Sequence, residues 1–206
     1  VTIQRSPREN PIITASQLEG GALDLLQRLL PAYAQGIAKQ QGGDTPAFPR
    51  SYTCAAALDK FVEDQLPAVV LHSPGTVGKM EQRDGLYSVV WALVVGVYVS
   101  ASTDRATHDL ARLYAAAVRG CLAQTPSLGG LCSDLVWVDE RYDRGLAFEA
   151  QRTFVVGTTA WEARVNSVVD AFAGPLTALP VVDAGDWPQV ETTSVEIDRL
   201  PEDAAA

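Results

Sequence analysis

The most regular stretch of the chain is Leu86–Ser100, where Tyr87, Val89, Trp91, Leu93, Val95, Val97 and Val99 alternate with Ser88, Val90, Ala92, Val94, Gly96, Tyr98 and Ser100. Period-two alternation predicts a long strand with one bulky face and one smaller face. The bulky side is expected to pack on helices, and the smaller side to meet another layer or a neighbouring subunit. Before it, Ala68–Leu71 reads as a short buried strand that the turn signal Ser73-Pro74-Gly75 ends, followed by a polar loop through Asp84-Gly85. After it, Leu135–Val138 begins another strand. That strand is expected to run through a charged hairpin turn, Asp139–Gly145, into Leu146–Val156, with antiparallel pairing across the turn. Gly157 reads as an interruption, after which Trp161, Ala163 and Val165 resume the alternation.

Helical spacing appears twice. Leu18, Ala22, Leu25, Leu26, Leu29 and Leu30 follow Ser16 and Glu19, which have the spacing of a capping box, so a helix is predicted over about 17–30. Pro31 leaves either a kinked continuation to Gln40 or a second short helix, ended by Gly42-Gly43. The second pattern covers 104–124, entered through Ser102-Thr103-Asp104, with a stripe of Leu110, Leu113, Tyr114, Ala117, Cys121 and Leu122. Residues 44–53 read as a proline-containing loop and Cys54–Gln65 as a short helical segment. The expected fold class is α+β: a mostly antiparallel sheet of about four strands packed by two or more helices. One domain is expected over 16–174, flanked by an N-terminal arm (1–15) and an acidic, proline-containing C-terminal arm (175–206).

Composition narrows the function classes. With 47% hydrophobic and 20% charged residues, 206 residues can bury a sizeable core. The net charge is −9, and −6 of it falls in 175–206, where seven carboxylates face Arg199 alone, so the basic footprint of a duplex-binding protein is missing. The longest apolar run, Val89–Val99, has 11 residues, short of the roughly 20 a membrane-crossing helix needs. The polar start Val1–Pro7 lacks a signal peptide's apolar centre, so action inside a cell is the expectation. Cys54, Cys121 and Cys132 fit no disulfide framework or C-x-x-C motif and read as small buried residues.

Candidate chemistry is sparse. His72 precedes Ser73-Pro74-Gly75-Thr76-Val77-Gly78, a strand leading to a glycine loop, but the P-loop ending and the dinucleotide fingerprint are missing, which favours a plain turn. His108 follows Asp104 by four residues on a predicted helix, where a local surface interaction explains it. Neither a Gly-x-Ser-x-Gly elbow nor a metal-ligand spacing is present, so no catalytic residue, metal or cofactor is assigned. Asp139, Glu140, Arg141, Asp143 and Arg144 read as a solvated turn or, alternatively, as an assembly contact or lumen-facing loop whose mixed charges select register and partner. Glu149, Gln151, Arg152, Glu162 and Arg164 are candidates for the same part. Trp137 and Trp161 are expected in the core.

The order of elements carries the rest. The segments QLPAVVLHSPG, YSVVWALVVGVYVSA, DRATHDLARLYAAAVRGCLAQ, SDLVWVDERY and LAFEAQRTFVVGTTAWEARVN, behind an N-terminal helix and before an acidic tail, together resemble the tail terminator family of long-tailed bacteriophages over residues 52–174. The resemblance is one of layout and texture. It implies a non-enzymatic α+β subunit that forms a hexameric ring in the virion tail or neck, assembled in the host bacterial cytoplasm. The ring would cap the tail tube protein and face the head-tail connector protein, while genomic DNA passes through the lumen. Rival readings are another connector component (adaptor or stopper), a tail tube protein or, more distantly, an intracellular small-molecule-binding domain or enzyme using the His72 loop.

Overall fold

A computed structural model describes residues 13–55, 65–83, 86–146 and 153–170. Helix α1 (Ala15–Gln40) starts two residues earlier than its sequence signal suggested. Thr14 is the N-cap: its hydroxyl accepts from the Gln17 N–H, and Gln17 Oε1 accepts from the Thr14 N–H at 2.8 Å. Gln17 therefore takes the part assigned to Glu19. Glu19 instead reaches out of the helix, and its Oε1 accepts from the Ser73 N–H at 2.7 Å. Of the two alternatives at Pro31, continuation holds, because the buried stripe Leu18, Ala22, Leu25, Leu26 and Leu30 runs on through Ala34 and Ala38. Gly42, at φ 71°, turns the chain away, and the Gly43 N–H closes the last turn on the Ala38 carbonyl at 2.9 Å.

The sheet has five strands rather than four: β1 (Ser51–Cys54), β2 (Ala68–Arg83), β3 (Leu86–Val99), β4 (Asp134–Leu146) and β5 (Thr153–Asp170). Their order is β1-β2-β3-β5-β4, parallel between β1 and β2 and antiparallel elsewhere. β1 replaces the end of the expected loop and the start of the expected 54–65 helix; the rest of that helix, 56–64, lies outside the described residues. Its four residues are too few to show alternation, and its partner Ala68–Leu71 is a parallel strand supplied from beyond that segment. Cys54 consequently sits on an edge strand and is exposed, while Cys121 and Cys132 are buried as expected.

Two expected turns are strand. β2 does not end at Leu71 but continues to Arg83, absorbing Ser73-Pro74 as an irregularity in its register with β3 between His72 and Gly75. Proline is tolerated there because a bulge needs no ladder N–H from it, and Gly75 (φ 128°) and Gly78 (φ 74°) take up backbone angles that side chains resist. The charged stretch Asp139–Arg144 is likewise no hairpin tip: it is the middle of β4, each residue paired with β5. The link between β4 and β5 falls at 147–152, outside the described residues.

β3 matches its pattern closely, with Val89, Leu93, Val95, Val97 and Val99 buried. Helix α2 (Asp104–Ala123) is capped by Thr103, whose Oγ1 accepts from the Ala106 N–H at 3.2 Å. It buries Thr107, Ala111, Tyr114, Ala115, Ala117, Val118, Cys121 and Leu122. A short 3₁₀ turn, Leu128–Gly130, leads from α2 into β4. The two helices pack on each other, α1 over β1 and β2 and α2 over β3, β5 and β4, and one core joins them to Val69, Leu71, Val155, Trp161, Ala163 and Val165. Gly157 does not interrupt β5; it lies in the strand under α2. The opposite side of the sheet carries the smaller set, with Val90, Ala92, Val94 and Tyr98 half-buried. No helix among the described residues is long and apolar enough to cross a membrane.

Candidate assembly edge

β4 is one lateral edge of the sheet formed by the described residues, and among those residues its far side has no strand partner. Alternation divides its side chains. Leu135, Trp137, Glu140, Tyr142 and Arg144 share the helix side with Ala163, Trp161, Thr159, Gly157 and Val155, while Asp134, Val136, Asp139, Arg141 and Asp143 share the open side with β5 residues from Arg164 to Val156. The count slips once, between Trp137 and Asp139, leaving Val138 as the extra residue of a bulge.

The helix-side residues form a seam with α2. Arg119 Nη1 lies 2.7 Å from Glu140 Oε2, and its guanidinium sits 5.1 Å above the Trp137 ring. The Tyr142 hydroxyl donates to Glu140, and the Arg112 guanidinium lies 6.0 Å above the Tyr142 ring. Burial, with that hydrogen bond second, pushes the Tyr142 phenol up to about 12. Further along, Arg144 Nη2 meets Asp104 Oδ2 at 2.6 Å, so Asp104 is engaged across to β4. On the open side Arg141 Nε donates to Asp139 Oδ2 at 2.6 Å; that bond, with the Glu140 N–H second, holds the Asp139 carboxyl below its usual range.

Of the charged candidates, Asp139, Glu140, Arg141, Asp143 and Arg144 thus come together on one edge strand, on two sides of it rather than around a tip. Glu162 and Arg164 stand next to them on the open side of β5, paired with Val136 and Asp134. Glu149, Gln151 and Arg152 lie outside the described residues. The two histidines are on opposite sides of the sheet: His72 pairs with Val94 on the open side, and His108 is on α2. The Ser73 N–H is already committed to the Glu19 carboxylate, which sets an anion where a phosphate cradle would need a donor.

The residues that sequence reasoning missed are apolar. Trp161 is core, 1% exposed, but Trp137 is 45% exposed, flanked by Val136 at 49% and Val138 at 54%. Trp137 faces the helices from the edge strand, where the Arg119 guanidinium lies over its ring. A signal for this was present in the chain: Leu135-Val136-Trp137-Val138 is an unbroken apolar run, and a strand covered on one side can bury only alternate members of such a run.

No family model and no curated protein matches this chain. Among solved structures, a chain of the virion of a native gene transfer agent particle is similar to it over 72% of this chain and 94% of that one, at 15% identity and a TM-score of 0.43.

Proposed function

We propose that this chain is a structural subunit of a virion, a tail terminator that forms a ring on the end of the tail tube and joins it to the head-tail connector, with no catalytic step of its own. The observation that carries the reading is the β4 edge, where Val136, Trp137 and Val138 are exposed on a strand that, among the described residues, has a neighbouring strand on one side only. Such an edge suits addition of another strand. The charged residues beside it suit the choice of register and orientation. The layout of a long two-faced strand, an amphipathic helix and two further strands supports the same assignment, and the hexameric number comes from the family resemblance.

Light scattering on the purified chain, with negative-stain imaging alone and after mixing with polymerised tail tubes, tests this. Rings of six subunits, or density confined to tube ends, are the expected result. Indefinite polymerisation would transfer the chain to the tube proteins. Failure to occupy tube ends would refute the terminator reading. A stable monomer that binds a small molecule near His72, and loses that binding on His72→Ala, would replace it with the binding-domain alternative.

A further inference from the structure

The exposed large apolar side chains among the described residues are Phe48, Val77, Met80, Val136, Trp137 and Val138. The sheet order separates them. Val136–Val138 lie on β4, at one edge. Val77 and Met80 lie on β2, whose pairing with β1 ends at Leu71; from Thr76 to Gln82 every β2 residue is exposed. Among the described residues this outer half of β2 is therefore an edge as well, on the opposite flank from β4. Two different apolar edges on opposite flanks suit a head-to-tail contact between copies, in which one copy's first edge meets the next copy's second.

Strand direction and side-chain parity restrict that contact. β2, β3, β5 and β4 alternate in direction, so β4 runs opposite to β2. A second copy added in the same orientation thus presents its β2 antiparallel to β4, and the ladder continues without inverting a subunit. Opposed residues must share a side of the sheet. Val77, paired with Val90, and Val136, paired with Glu162, are both on the open side; Thr76, paired with Trp91, and Trp137, paired with Trp161, are both on the helix side. Setting Val77 against Val136 satisfies both conditions. The same register sets Gly75 against the bulged Val138, where a residue without a side chain leaves room, and brings Lys79, which lies in the irregular stretch of β2 between Val77 and Glu81, toward Asp134, opposite in charge.

The register also has a stagger. Within one copy Val136 pairs with Glu162, Glu162 with Ala92, and Ala92 with Gly75, so Val136 stands level with Gly75 and not with Val77. Each joint then steps two residues along the strand, about 7 Å. A sheet closes on itself only when its strands tilt and its register staggers, so a step of this kind favours closure over a flat, open array.

We infer that β4 of one copy pairs antiparallel with the Gly75–Lys79 stretch of β2 in a second copy of this chain, with Val136 against Val77 and Lys79 brought toward Asp134. The assignment rests on the ring-forming reading above and supplies the joint it needs.

The test uses the full chain with Cys54→Ser, which removes the exposed thiol and leaves two buried ones. Val77→Cys and Val136→Cys proteins are oxidised separately, mixed, and combined in one chain. Cross-linked dimers in the mixture alone, and a ladder of covalent oligomers from the combined variant, are expected. Asp134→Lys should weaken assembly about three- to tenfold, and adding Lys79→Asp to it should restore assembly. Closed rings that give no such cross-link and ignore the charge swap would overturn this joint and leave the ring reading standing. A cross-linked ladder in open filaments that never close would support the joint and overturn the ring reading. A chain that stays monomeric with and without tubes and gives no cross-link would overturn both.

Discussion

Gly157 lies where β5 passes beneath α2, and a single added methyl group there meets backbone. A Cβ built on Gly157 stands 2.9 Å from the Ala111 carbonyl oxygen, 3.5 Å from its carbon and 3.6 Å from the Ala115 Cβ. The first contact is tighter than van der Waals packing permits, and the oxygen is held in the ladder of α2, so no rotamer change relieves it. Relief requires the helix to lift from the sheet along a seam that also buries Ala111, Ala115 and Val118. Overpacking of this kind costs about 1–3 kcal/mol. Restricting the unfolded chain by Gly→Ala offsets about 0.4–1 kcal/mol. Gly157→Ala should therefore destabilise the fold by about 1–2 kcal/mol, which lowers a urea midpoint by roughly 0.5–1 M at an ordinary slope of ~2 kcal/mol per M. Gly20→Ala is the matched control: it is in the interior of α1 and its added Cβ has nothing within 4 Å. There the same chemical change should stabilise by about 0.5–1 kcal/mol through helix propensity. Both are read as unfolding midpoints at one fixed protein concentration, because assembly would shift them by mass action. An unchanged or raised midpoint for Gly157→Ala would refute the close approach of β5 to α2.

Burial drives the phenols of Tyr52 and Tyr142 up to about 12 and that of Tyr114 higher still, so phenolate absorbance should lag behind that of free tyrosine above pH 10. Because these folded values exceed the ordinary value near 10, the stability they carry is complete below pH 10 and is lost as the pH climbs toward 12; titration of Tyr52, Tyr114 and Tyr142 near pH 10 without unfolding would contradict this. An aromatic disulfide reagent should label Cys54 alone in the native chain. Cys121 and Cys132, pushed by burial to about 12 and about 11, should react only in denaturant, and three fast native thiols would rule out the buried pair. Tyr114→Phe removes the hydroxyl that donates to the Ala47 carbonyl and should cost about 1 kcal/mol, measured by thermal unfolding; no loss would mean that the bond does not hold the 44–50 segment. A double-mutant cycle on Arg119 and Glu140 should return a coupling of about 0.5–1 kcal/mol, since Arg119 is 41% exposed and solvent screens the pair; zero coupling would remove the seam from the account of how β4 is held.

Periodicity alone located β3 and α2 almost to the residue, and it identified the alternation that resumes in β5 at Trp161, because each of these elements buries one long face against a single core. Local capping chemistry was legible in kind but not in place: Thr14 with Gln17 and Ser16 with Glu19 satisfy the same spacing, and only the carboxylate's bond to the Ser73 N–H decides between them. Other features depended on neighbours far along the chain. β1 is a strand because Ala68–Leu71 lies beside it, and β2 crosses Pro74 because β3 holds it on both sides of the bulge. Asp139–Arg144 looks like a turn since it lacks apolar alternation. As an edge strand it needs a ladder on one side only, and α2 supplies Arg119 and Asp104 to its charges. Trp137 and Trp161 lie opposite each other on the same side of the sheet, and one is a surface residue and the other core. Residue type and spacing set which faces a segment can offer, whereas burial is a property of the strand or helix that arrives next to it, and that is decided only when the tertiary structure closes.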